Sequence, residues 1–209
     1  MNNITGFMNK IKKNMDFKKY LGEGLLIVFS VLFALFINKT YEDAKTNSKK
    51  NNAVKQIKTE LIDNQKILHD WITDHNAILD NLDSLIGSKN DSIQILAEKK
   101  GYLPIQIIFN NKNLINTPLS NSAWSSAQSI GIISEFDFKT LQNISQTYEL
   151  QQLIMETSIE IIAERLFLKS YDIENIQGLL IELRMRFKNL VGQENSLNYF
   201  YKKTIEILE

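Results

Sequence analysis

Between Tyr20 and Tyr41 lies GLLIVFSVLFALFI, residues 24–37, an apolar run interrupted only by Ser30. A helix built from it has no polar stripe, so it cannot cover one side of a water-soluble core, and the run predicts a membrane-spanning helix. The strictly apolar part is short, because about 20 residues at 1.5 Å each are needed to cross a ~30 Å hydrocarbon core. The flanks extend it. From Tyr20 to Tyr41 a helix measures roughly 33 Å, with an aromatic ring for each headgroup layer. Tyr20, Lys39 and Tyr41 are the expected interface anchors, and Lys18, Lys19 and Lys39 can snorkel outward. A cleaved signal peptide is the rival reading, but Ile37-Asn38-Lys39 offers no small-x-small cleavage site.

Orientation does not follow from lysine counting. Residues 1–19 carry five lysines against Asp16, and the far flank carries Lys39, Lys45, Lys49, Lys50, Lys55 and Lys58. A short basic tail is harder to translocate than a large C-terminal domain. That favours an N-terminus in the cytoplasm and residues 42–209 outside it. Within the tail, Ile4, Phe7, Met8, Ile11 and Met15 recur at helical spacing between lysines. This suits an in-plane amphipathic helix on anionic lipid, with a disordered basic tail as the alternative.

Glu23 sits one turn inside Tyr20, near the expected headgroup level. Gly22, Glu23, Ser30 and Ala34 are the candidate contact face for a second membrane helix, with Glu23 neutralised by that partner or simply placed among headgroups.

The remainder predicts an all-α fold, in which the transmembrane helix runs into a long stalk helix and a membrane-tethered helical bundle follows. The expected divisions are a tail 1–19, a transmembrane helix 20–41, a stalk 42–87, an irregular connector 88–120 and the remaining bundle helices 121–209. Two prolines and few glycines favour long helices. Val54, Ile57, Leu61, Leu68, Trp71, Ile72, Ile78, Leu79, Leu82, Leu85 and Ile86 form one stripe, with polar Asn64 and His75 on or beside it. In the connector, Asp91–Lys100 reads as a short helix and Gly101–Phe109 as a packed loop or short strand broken by Pro104.

Ser120 is then the expected cap of a helix ended by Gly131, and Ser134 of a long helix with Phe138, Leu141, Tyr148, Met155, Ile159, Ile162 and Leu166 on one face. Leu150, Leu153, Ile154 and Ile161 give that helix a second apolar face. Asp172 is the expected cap of the next helix, with a separate final helix from Leu197 to Leu208.

Chemistry finds little support. Cysteine is absent, and no nucleophile elbow or glycine-rich phosphate loop occurs. His69 and His75 are six residues apart and point in different directions on a helix; Asp70 and Asp74 share a face without further ligands. Neither a catalytic group, a cofactor nor a metal is expected. Residues 42–209 hold 18 Lys and Arg against 22 Asp and Glu, which disfavours nucleic acid as a partner.

Lys19-Tyr20-Leu21-Gly22-Glu23-Gly24-Leu25-Leu26-Ile27-Val28, running to Leu35-Phe36-Ile37-Asn38, resembles the anchor of a family of small bacterial single-pass membrane proteins known as a domain of unknown function. Ala123-Trp124-Ser125-Ser126-Ala127 and Ile130-Gly131-Ile132-Ile133 are similar too. Where members carry tryptophan after the anchor asparagine, this chain has Lys39-Thr40-Tyr41. The resemblance implies a cytoplasmic N-terminus and no particular activity. The leading expectation is a non-enzymatic interaction or scaffold module of the bacterial envelope, with the lipid bilayer, a second copy or another envelope protein as partner. A ligand-sensing bundle signalling through a partner and a membrane effector of a defence system are the alternatives.

Overall fold

The computed structural model describes the backbone of residues 2–87 and 91–209, and side chains from Tyr20 onward except 88–92. The apolar face expected of the tail, from Ile4 to Met15, lies outside the described side chains. The fold is all-α, with no strand among the described residues. Helix α1 (Asn2–Gly87) is followed by α2 (Asp91–Lys100), α3 (Ile105–Phe109), α4 (Ser122–Ser129), α5 (Phe138–Leu153), α6 (Ile159–Lys169) and α7 (Ile176–Ile207). The chain divides into two compact units, Met1–Lys49 and Lys50–Glu209.

In the first unit, α1 is the one helix among the described residues long and apolar enough to cross a membrane, with an 18-residue window of mean hydropathy 2.2. A soluble core helix of that hydropathy is mostly buried, and none of this window is. Its polar groups turn inward on the helix: Ser30 Oγ donates to the Leu26 carbonyl at 2.8 Å and Thr40 Oγ1 to the Phe36 carbonyl at 2.9 Å.

The second unit begins at Lys50, inside the stretch expected to be a stalk. From there α1 is a core helix. Its buried positions are Ile57, Leu61, Asn64, Leu68, Trp71, His75, Ile78 and Leu82, an unbroken three–four alternation. Cross-links fix the topology. Lys58 with Glu209, Gln65 with Asn198, His75 with Glu194 and Asp83 with Arg184 place α7 antiparallel to α1. Glu60 with Tyr148 and Asn64 with Gln151 place α5 parallel to it.

Between these runs residues 107–120, which we call the strap, descend along α1 as the second leg of an up-down-up-down arrangement. The expected strand or loop near Pro104 is instead the five-residue helix α3. Pro104 serves as its N-cap with φ −66°, and Asn110 in the left-handed region (φ 46°) ends it.

The middle helix runs differently from expectation. Ile144, Thr147, Tyr148, Gln151 and Ile154 are buried at three–four spacing, after which the next buried residue, Ile159, is five further on. A π-helical turn, Ile154–Ser158, absorbs the step, and Ile162 and Leu166 resume the face. Phe138 and Leu153 therefore point to solvent, and Leu150 and Ile161 are only partly buried, so the helix has one buried face and not two.

Three expected caps also move. Asn121, not Ser120, stands at the N-cap of α4, and its side chain makes no capping bond. Asp137, not Ser134, caps α5 by accepting from the Thr140 amide at 3.0 Å. Ser134 lies in a 3-10 turn that follows Gly131, whose φ of 72° provides the left-handed stop for α4. Asp172 precedes a further 3-10 turn and α7 starts at Ile176, continuing without a break through the separately expected last helix.

Candidate functional site

The strap explains the polar positions on the α1 stripe. Beyond the turn that ends α3 the strap has no regular secondary structure, so its carbonyls and amides need partners from a neighbour. α1 supplies them. Asn81 Nδ2 donates to the carbonyls of Ile107 and Ile108 at 2.7 and 2.8 Å. His75 Nε2 reaches the Leu114 carbonyl at 2.8 Å, and Trp71 Nε1 donates to that of Thr117 at 3.2 Å. Asn64 pairs with both sides of Ser120, its Nδ2 donating to the carbonyl at 2.6 Å and its Oδ1 accepting from the amide at 2.8 Å. Lys112 and Asn116 add bonds to Asp74 at 2.8 and 3.0 Å.

Two polar clusters hang on this frame. The first surrounds Glu60. Its carboxylate accepts from Ser120 Oγ at 2.6 Å, Ser122 Oγ at 2.8 Å, the Ala123 amide at 2.9 Å and the Tyr148 hydroxyl at 2.7 Å. Glu60 thus caps α4 from another helix, where its negative charge also meets the positive end of the helix dipole. Burial pushes its carboxyl up, but bonds from Ser120, Ala123, Tyr148 and Ser122 outweigh that and hold it below the usual range. Burial, and then the Glu60 bond and charge, push the Tyr148 phenol up, so it stays a donor. The Tyr148 ring stacks on Trp124 at 5.7 Å and 5°.

Next to this, Gln151 Nε2 donates to the Ser120 carbonyl and its Oε1 accepts from the Tyr201 hydroxyl at 2.7 Å. Shallow grooves of about 280 and 260 Å³ flank the cluster, one along Glu60 and Asp63 and the other along Tyr148 and Met155.

Replacing Glu60 with glutamine leaves one oxygen to answer four donors. We expect a loss of about 1–2 kcal/mol at neutral pH, reduced by the partial exposure of the site. A carboxyl lowered on folding adds stability above its ordinary range and loses it as pH falls through the lowered value. The gap between wild type and Glu60→Gln, read by urea denaturation, therefore closes on acidification.

The second cluster is a fully buried pair: His75 Nδ1 and Glu194 Oε1 are 2.6 Å apart and neither side chain is exposed. Trp71 tilts over the imidazole at 6.2 Å and Phe187 meets it edge-on at 5.7 Å. Desolvation pushes the Glu194 carboxyl up, against the opposing pull of His75.

Of the residues singled out in the sequence, Glu23, Ser30 and Ala34 fall within about 40° of one another around α1 and Gly22 about 100° aside, by 100° per residue. All four are exposed. Tyr20 and Tyr41 are exposed at 70% and 66%, and Lys39 is exposed as well. His69 and Asp70 are on the surface and away from the His75 pair. No group of three or more metal-ligating side chains occurs among the described residues.

Glu60, Gln151, Glu194 and Tyr201 were not singled out. Glu194 had a signal, since it occupies a core step in the α7 series Leu183, Phe187, Leu190, Glu194, Leu197 and Tyr201. Gln151 occupies the same kind of step in α5. Glu60 had none, because its partners come from three other parts of the chain.

No protein-family model matches the chain, and no curated protein or solved structure is detectably similar to it.

Proposed function

We propose that the chain is a non-enzymatic, single-pass membrane protein of the bacterial envelope, with its N-terminus in the cytoplasm and residues 42–209 in the periplasm as an interaction or scaffold module. The observation that carries the reading is the contrast along one helix. Every large apolar side chain from Leu21 to Ile37 is at least half exposed, while the apolar residues of α1 beyond Lys50 close a core. Apolar surface of that extent is favourable only against lipid or another apolar helix. The unit Lys50–Glu209 adds exposed Phe167, Leu168, Tyr171 and Tyr102, with the two tyrosine rings 6.1 Å apart, as surface available to a partner. The bilayer, a second copy or another envelope protein are the partners this reading names, and nucleic acid is not among them.

An alkaline-phosphatase fusion at Glu209 is expected to be active, and a fluorescent-protein fusion at the same place dark. Cytoplasmic fluorescence overturns the periplasmic assignment and favours a membrane effector. Crosslinking in native membranes is expected to trap a second copy or a specific envelope protein; a chain that remains monomeric and uncrosslinked overturns the scaffold role.

A further inference from the structure

The buried pair poses a counting problem with one solution. The Leu114 carbonyl can only accept, so His75 Nε2 carries a hydrogen. Nδ1 then faces Glu194 Oε1 at 2.6 Å, a distance that requires a hydrogen between them. Either Glu194 is the acid and donates to the ring, or the ring is a cation and donates to the carboxylate. Both arrangements hold one shared proton and no net charge. Without it, a nitrogen lone pair confronts a carboxylate out of reach of water, which is strongly unfavourable. The second oxygen of Glu194 has no hydrogen-bond partner among the described residues to absorb that charge.

The other ionisable neighbours are few. Asp74, next to His75 on α1, is turned to Lys112 and Asn116 of the strap. On α7, Arg184 pairs with Asp83 and Arg186 with Glu182. From the middle helix, Ile154 and Ile159 are the buried residues at this level and Ser158 bonds Gln193.

We propose that this shared proton is a latch: while it is present α7 and the strap stay docked on α1, and its removal as pH rises frees the strap around Leu114. The strap is suited to such release, because beyond the turn that ends α3 side chains of α1 bond its backbone at Leu114, Thr117 and Ser120. A groove of about 390 Å³ runs beside it, lined by Phe109, Lys112 and Leu114 among others, so release reshapes that surface. The inference concerns the unit Lys50–Glu209 and is independent of which side of a bilayer it occupies.

The direction is fixed by Glu194. Its carboxyl, raised by burial, helps the folded pair keep its one shared proton, whereas the unfolded chain carries one proton on an imidazole up to the ordinary imidazole range and none above it. The pair's contribution is therefore level between the ordinary carboxylate and imidazole ranges and falls away as pH climbs beyond the latter toward loss of the shared proton.

The test uses the full chain in lipid nanodiscs carrying His69→Gln, an exposed substitution that leaves His75 as the only histidine. Hydrogen exchange is followed at the Lys112 amide, which donates to the Phe109 carbonyl at 2.9 Å, and corrected for intrinsic base catalysis. Between about pH 5 and pH 9, protection is expected to fall up to about tenfold per pH unit once the proton leaves. Glu194→Gln, whose amide donates to Nδ1 at every pH, is expected to remove the dependence. Flat protection in the parent chain, or the same slope in the glutamine variant, overturns the latch. Should that variant fail to fold, the imidazole ¹⁵N resonances of the parent decide. Movement with the same midpoint as the loss of protection supports the latch, and an Nδ1 signal that does not move overturns it.

Discussion

A chain carrying both Val28→Arg and Leu32→Arg is expected to lose its hold on membranes. The two residues lie one turn apart in the apolar stretch of α1, 55% and 60% exposed, with no protein core to disturb. Arginine is a good helix former, so the helix itself survives. The effect falls on insertion, where each arginine near the centre of a span costs about 2.5–3.5 kcal/mol on translocon scales. Two of them cost about 5–7 kcal/mol, or more than a thousandfold in the insertion equilibrium. Carbonate extraction and flotation check the result. The parent chain should stay with the bilayer and the double variant should wash off, with unchanged circular dichroism. If the variant remains integral, the proposed span is wrong.

Trp71→Ala is expected to be the most damaging single substitution in the unit Lys50–Glu209. Trp71 is among the largest fully buried side chains, and deletion of a buried tryptophan costs about 3–5 kcal/mol through lost transfer energy and the cavity left behind. Total stabilities of single domains are about 5–15 kcal/mol, so the loss removes a large fraction. It also takes the donor from the Thr117 carbonyl and the ring from the face of His75. Urea denaturation of the full chain in detergent should show a midpoint shift at unchanged slope. Trp71→Phe refills much of the volume but still leaves that carbonyl unanswered, so it should fall between the two. A Trp71→Ala chain as stable as the parent would mean that the strap does not depend on α1.

The pattern of the sequence exposed some of this design and concealed the rest. The core face of α1 was legible because a stripe at three–four spacing needs no knowledge of the partner. Asn64 and His75 stood out on it because polar groups interrupt an apolar series. Their purpose was not legible, since it depends on a strap with no periodicity of its own. The π turn was hidden for a related reason: the five-residue gap from Ile154 to Ile159 reads as noise until the helix is seen to widen and unwind there. Taking both phases as buried gave the middle helix a second apolar face that it does not have. Ser134 resembled a cap because it carries a hydroxyl, while Asp137, three residues on, made the bond. Glu60 capping α4 from another helix is beyond any local rule.

The ladder of bonds from Asn64, Trp71, His75 and Asn81 to the strap acts as a ruler. Each rung meets a defined carbonyl or amide, so the spacing along α1 and the spacing along the strap must match. Adding or deleting one residue between Asn64 and Asn81 turns every later rung about 100° away from its mate. Length in that stretch is consequently as fixed as residue identity.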